Sequence, residues 1–143
     1  MSSKTIIGAL MLLYAKCYAE CSIVTNTGLQ FSCPLGEYSG CSAIAQLALN
    51  CSVGSSLSIS LSQGNSNVFI PRQMTEVAKH TTVNYNVYLD PNQQQIFGDG
   101  TQGTEPLNVA CSGYCNYNFY GFIQSTTVKA GRYLDTPTLL INY

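Results

Sequence analysis

The chain has 143 residues, of which 45% are hydrophobic and 9% charged, with a formal net charge of −1. This length suits one domain around one core, and so few cations leave no basic stripe to neutralise phosphates, which argues against nucleic acid as a partner. A single histidine, His80, further narrows the room for imidazole-based catalysis or zinc chemistry.

At the N-terminus, "MSSKTIIGALMLLYAKCYAEC" carries one early cation, Lys4, an apolar run from Ile6 to Ala15, and small residues at Cys17 and Ala19. This pattern reads as a secretory signal over residues 1–19, cut after Ala19, with the exported domain spanning 20–143. The apolar run falls short of the roughly 20 residues that cross a bilayer, so the domain is not expected to be membrane-embedded. A lipoprotein cut before Cys17 is disfavoured because Lys16 stands where a small residue belongs. Cleavage leaves Arg72, Lys79, Lys129 and Arg132 against seven acids, a net charge of −3. It also leaves six cysteines: Cys21, Cys33, Cys41, Cys51, Cys111 and Cys115. An even count in an exported chain reads as three disulfides, and many connectivities are open from the count alone. Zinc knuckles need paired C-x-x-C spacings, which these cysteines lack.

The expected elements are strands. "AQLALNC" (45–51) places Ala45, Leu47, Leu49 and Cys51 on one side, and it lacks the N-cap and apolar face of a helix. "SSLSISLS" (55–62) sets Leu57, Ile59 and Leu61 against serines. "VNYNVYL" (83–89) sets Val83, Tyr85, Val87 and Leu89 against Asn84, Asn86 and Tyr88. "YNFYGFI" (117–123) and "TLLINY" (138–143) also alternate. Period two is the signature of half-buried antiparallel strands, because neighbouring side chains point to opposite faces. Gly, Pro, Asn and Asp clusters separate the runs. The fold class is an all-β sandwich without a long helix, an internal repeat or a linker.

One stretch looks like chemistry. "GDGTQGT" (98–104) lacks the Lys and following helix of a phosphate loop, and Asp90 and Asp99 do not complete a calcium ligand set. Asp99–Gly100 is instead a natural turn pair. No metal or cofactor is expected, and an enzyme fails on inventory. His80 has Lys79 beside it and Glu76 as the nearest acid, and all seven acids fall at expected termini, turns or loops. A carboxylate pair brought together by the fold stays open.

"R-x-M" at Arg72–Met74, "YNVYLD" (85–90), "FGDGT" (97–101), "YGFI" (120–123) and "AGRYLDTPTLLINY" (130–143) follow one another in order, after Cys21 and the strand pair in "NCSVGSSLSISLSQG". This set resembles the spore coat protein U domain family, which includes subunits of archaic, Csu-type chaperone–usher pili. The resemblance covers nearly the whole exported chain. It implies an immunoglobulin-like sandwich lacking its final strand, with a groove bordered by Leu139, Ile141 and Tyr143. It implies three kinds of partner: a periplasmic chaperone, an outer-membrane usher, and a neighbouring pilin that donates a strand. It further implies export through the periplasm to the cell surface or a pilus.

The family pattern implies Cys21–Cys51, and the two remaining pairs are expected locally within loops, Cys33–Cys41 and Cys111–Cys115. Phe97 stands where the family commonly has Trp, the four loop cysteines are additions, and "FSCPLGEYSGC" inserts residues. With cleavage at Ala19 and Cys21 tied to the sandwich, the chain is expected to accept a strand without giving one, which places it at a fibre tip or outside a fibre. Tyr114 and Tyr117, in an expected "CSGYCNY" loop, are candidate surface contacts. The other reading is a free-standing secreted or cell-surface binding module, which neighbouring chaperone and usher genes would argue against.

Overall fold

Alternation of apolar and polar side chains drives almost every element of the computed structural model, which describes residues 20–143 apart from 34–35, 38–39 and 125–126. The expected signal segment 1–19 and part of the "FSCPLGEYSGC" insertion lie outside the described residues. The strands are β1 (Cys21–Asn26), β2 (Gly36–Glu37), β3 (Gly40–Leu61), β4 (Arg72–Glu76), β5 (Thr82–Tyr88), β6 (Leu107–Gln124), β7 (Thr127–Val128), β8 (Tyr133–Leu134) and β9 (Leu139–Asn142). They pair in the order β1-β3-β6-β5-β4-β8, with β9 also on β3, while β2 and β7 form a separate two-stranded ribbon. Among the described residues all pairings between these strands are antiparallel, and the main sheet curls back on itself into an immunoglobulin-like sandwich.

The strand pair expected from "NCSVGSSLSISLSQG" is one continuous strand, β3. Its register with β6 runs from Gly40↔Gln124 to Cys51↔Gly113, then resumes at Ser55↔Cys111. Residues 52–54 therefore face Ser112 alone, forming a bulge. Gly54 and Gly113 take φ of 77° and 72°, and the Gly54 amide donates to Ser112 Oγ at 3.0 Å. A bulge bends its strand and adds twist, so the same strand carries β1 on one edge before the bend and β9 on that edge after it. The expected "CSGYCNY" loop is corrected by the same feature: its Gly and Cys residues lie within β6, at the bulge.

Leu47, Leu49, Ile59 and Phe97 are completely buried at the centre of the core, with Leu57, Val87 and Phe119 around them. Burying one such side chain contributes roughly 2 kcal/mol. Alternation weakens in β5, where Asn86 and Tyr88 are buried along with Tyr85 and Val87. Both faces of β5 are covered there. Beyond β5, residues 95–97 make only single bridges, Tyr88↔Ile96 and Phe97↔Glu105.

Candidate functional site

The interior of the sandwich is open along one side, between two walls that are not strands. The first wall follows β1. Thr27 is tethered to β3, its amide donating to Gln46 O at 2.9 Å and its Oγ1 accepting the Gln46 amide at 2.8 Å. The chain then leaves the sheet, and Leu29 and Phe31 settle over Gly121. A Cβ at Gly121 would lie 2.6 Å from Phe31 Cζ and 2.8 Å from Leu29 Cδ1, so the two side chains rest where any larger residue would push them aside. Phe31 meets Tyr85 edge-on, with ring centroids 6.3 Å apart.

The second wall, residues 135–138, leads into β9. Asp135 organises it: Oδ1 accepts the amides of Asn65 at 2.7 Å and Thr136 at 2.9 Å, and Oδ2 accepts the Tyr85 hydroxyl at 2.5 Å. Burial pushes the Tyr85 hydroxyl well above the usual phenol range, and the bond to the Asp135 carboxylate pushes the same way, so Tyr85 stays a donor. Thr138 closes the wall onto β3 by exchanging bonds with Ser62.

Between the walls lies a cleft of about 370 Å³ floored by Ala45, Leu61, Val87, Phe97 and Phe119. Phe97 stacks on Phe119 with centroids 4.4 Å apart and planes 7° apart. Among the described residues, no strand pairs with the second edge of β9. The cleft is thus an apolar slot beside an open sheet edge, a shape suited to an extended chain and not to a small polar substrate.

Arg72 supports the floor from beneath, a role that its place in the R-x-M motif does not disclose. It is fully buried. Nε donates to Ser62 O at 3.0 Å, Nη1 to Asn86 Oδ1 at 2.9 Å, and Nη2 to Leu61 O, Ser62 O and Phe97 O at 3.2, 2.8 and 2.8 Å. The guanidinium also sits 5.1 Å from the Phe69 ring centroid. Burial lowers its basicity, opposed by Tyr85, Asp135 and Asp99, and an arginine side chain stays charged under such conditions. Three carbonyls from two distant segments converge on one planar fork, the geometry that arginine presents and lysine does not.

Of the predicted groove residues, Leu139 lines the cleft, Ile141 is buried in the core, and Tyr143 lines a separate shallow depression with Ser56, Ser58 and Val109. Of the predicted contact residues, Tyr114 is 65% exposed, whereas Tyr117 is half-buried and packs against the core. The register explains the split: Tyr114 pairs with exposed Asn50, Tyr117 with buried Leu47.

The structure joins Cys21 to Cys51, Cys33 to Cys41 and Cys111 to Cys115. Cys21 and Cys51 are directly opposite across β1 and β3. Cys111 and Cys115 both belong to β6, which corrects their expected placement in a loop, and Cys41 belongs to β3.

Glu76 is another correction, since it ends a strand and is buried. Its Oε2 accepts the amides of Ala78, at 2.9 Å, and Lys79, shaping the turn in which His80 takes φ of 59°. "GDGTQGT" is a turn: Asp99 Oδ1 accepts the Thr101 amide at 2.9 Å and its hydroxyl at 2.6 Å. These bonds hold the Asp99 carboxyl below the usual carboxylate range. Among the described residues, no group of three or more His, Cys, Asp or Glu could hold a metal ion, and no helix is long and apolar enough to cross a membrane.

Curled sheet, bridged β1 and open apolar slot together define an immunoglobulin-like sandwich with a gap in its core. The Spore Coat Protein U domain model matches residues 7–139, and the chain belongs to that family. No curated protein sequence matches it. Among solved structures, it is similar to a chain in the crystal structure of the CsuC–CsuE chaperone–tip adhesion subunit pre-assembly complex, from archaic chaperone–usher Csu pili of Acinetobacter baumannii. That match has a TM-score of 0.66 at 20% identity and covers 88% of this chain and 40% of the other. The likeness is one of fold, and this chain spans well under half of that chain's length.

Proposed function

We propose that this protein is a subunit of an archaic chaperone–usher pilus and that its open cleft receives an extended strand from a second polypeptide. The observation that carries the reading is the apolar slot of about 370 Å³ beside the open edge of β9. A buried backbone group without a partner costs about 1–3 kcal/mol, and an open edge invites pairing. Strand addition meets both needs: backbone bonds supply affinity, and alternate side chains enter the slot. Pilin assembly is an established example of this mode.

In this reading a periplasmic chaperone fills the slot first, an outer-membrane usher receives the complex, and a neighbouring subunit then supplies the strand. Family membership and the fold shared with a chaperone–subunit complex support the assignment. A structural role follows, with no catalytic step, and export through the periplasm to the cell surface. Placement at the fibre tip depends on cleavage after Ala19, because Cys21 is tied to Cys51 and cannot swing into a neighbour. N-terminal sequencing of the exported protein decides that point.

The test of strand acceptance is thermal. A peptide of about ten residues with alternating apolar side chains, present at a hundredfold excess over its Kd, stabilises the domain by about 2.7 kcal/mol. The expected rise in Tm is about 10 °C. A stable monomer whose Tm is unmoved by such peptides refutes the pilin reading and favours a free-standing binding module.

A further inference from the structure

Beyond the central cleft lies a second basin of about 570 Å³, and the two share Leu29, Phe31 and Met74 in their lining. They adjoin across these three side chains, giving a channel in two parts. The same two walls border both parts: the segment after β1 runs from Asn26 to Cys33, while the opposite wall runs back from Leu139 to Lys129. A strand that runs along these walls past the first part reaches the second.

The two ends differ in chemistry. The second basin keeps an apolar floor of Met74, Val83 and Ile123, but its rim carries Lys129 and Arg132, and no described residue of its lining is acidic. Cations are scarce in this protein. Arg72 is buried, so Lys79, Lys129 and Arg132 are the exposed ones among the described residues, and two of the three stand at this end of the channel.

Resting on the strand-accepting reading, we propose that the occupant is a β-strand bearing a carboxylate where it reaches Lys129 and Arg132, and that this charge sets its register and direction. An apolar slot alone tolerates a slip of two residues, because every second side chain faces the same way. A carboxylate at one end removes that degeneracy. Moved by two residues, or reversed end for end, the strand withdraws its acid from both cations. Electrostatic complementarity of this kind selects among partners and fixes orientation more than it adds affinity. The chaperone strand and the subunit strand that occupy the channel in turn are expected to share the acidic end.

The experiment compares peptides with one alternating apolar core and different ends: Glu at the first end, Glu at the second, Gln at both, and Lys at both. Binding to the oxidised domain is read by fluorescence anisotropy at low salt and at about 0.5 M salt, where screening is strong. One of the two Glu-ended peptides is expected to bind about fivefold tighter than the Gln-ended one at low salt, the upper range for an exposed ion pair. The Lys-ended peptide binds more weakly than the Gln-ended one. The Glu advantage disappears at high salt and in the double variant Lys129→Gln/Arg132→Gln, whose exposed side chains leave the core untouched. Equal affinity of the Glu- and Gln-ended peptides for the parent protein overturns this inference alone. If no peptide binds, the strand-accepting reading falls and takes this inference with it.

Discussion

Replacing Arg72 by Met removes five hydrogen bonds from beneath the cleft and keeps an unbranched apolar stem. Asn86 Oδ1 retains a donor in the Val87 amide, at 3.0 Å. The carbonyls of Leu61, Ser62 and Phe97 lose their guanidinium partner. A buried acceptor left without a donor costs about 1–3 kcal/mol. The lower bound is the appropriate choice, because the variant no longer buries a charge that lacks a carboxylate in direct contact. Three carbonyls at about 1 kcal/mol each give a loss of about 3 kcal/mol. With a urea slope of about 1–3 kcal/mol per molar for a domain of this size, the unfolding midpoint falls by about 1–3 M. Far-UV circular dichroism of the oxidised protein in a urea series reads the shift. Arg72→Lys is expected to fall between parent and Met variant, since an ammonium keeps the charge but cannot serve carbonyls on two segments and Asn86 from one plane. A Met variant within about 0.5 kcal/mol of the parent, the range of an ordinary surface substitution, refutes the role assigned to the guanidinium.

Two further outcomes are expected. Serine at both Cys21 and Cys51 opens the clip with sequence separation 30 and costs about 3–4 kcal/mol, whereas serine at Cys111 and Cys115, separation 4, costs about 2. Thermal melts of the paired variants rank the two, and the reverse order refutes the chain-entropy argument. Tyr114→Ala leaves stability within about 0.5 kcal/mol while Tyr117→Ala costs more than about 1 kcal/mol, because only Tyr117 packs on the core. Urea midpoints check this, and equal losses at both positions contradict the alternation of β6.

Strands were legible wherever one face alone is buried. "SSLSISLS" declares its inner face because each serine between Leu57, Ile59 and Leu61 can point to the outer side. Legibility failed where a bulge uses the residues of a turn. Gly54 and Gly113 adopt the left-handed conformation that glycine permits, but they bend paired strands instead of ending them. The sequence alone does not distinguish the two uses, so β3 reads as two strands and the start of β6 as a loop. It failed again in β5, where Asn86 reads as solvent-facing but is held inside by Arg72 and by Phe69 O, which accepts its Nδ2 at 2.8 Å. The cleft was legible only in outline. Leu139 was in view, yet the second wall depends on Asp135 meeting Tyr85 and Asn65, contacts between residues far apart in the chain. Arg72 was visible as part of a motif, but not its purpose. Its acceptors are mostly backbone carbonyls, which every residue possesses and no sequence pattern marks.

The ladder between β3 and β6 has a consequence for the newly made chain. It joins Gly40 to Gln124 at one end and Ile59 to Leu107 at the other, so all of β4 and β5 must emerge before it can form. Folds dominated by such distant pairings assemble slowly, since loop closure precedes the contacts that reward it. Throughout that interval β3, 22 residues long and alternating in character, waits with the edge that β6 covers bare. Where copies of the chain are crowded, the nearest match for it is β3 of another copy, and edge-to-edge pairing of that kind is the usual start of aggregation. A partner that covers one edge early shortens the hazardous interval. Its value to this protein is therefore measured in seconds survived during folding as well as in stability gained once folded.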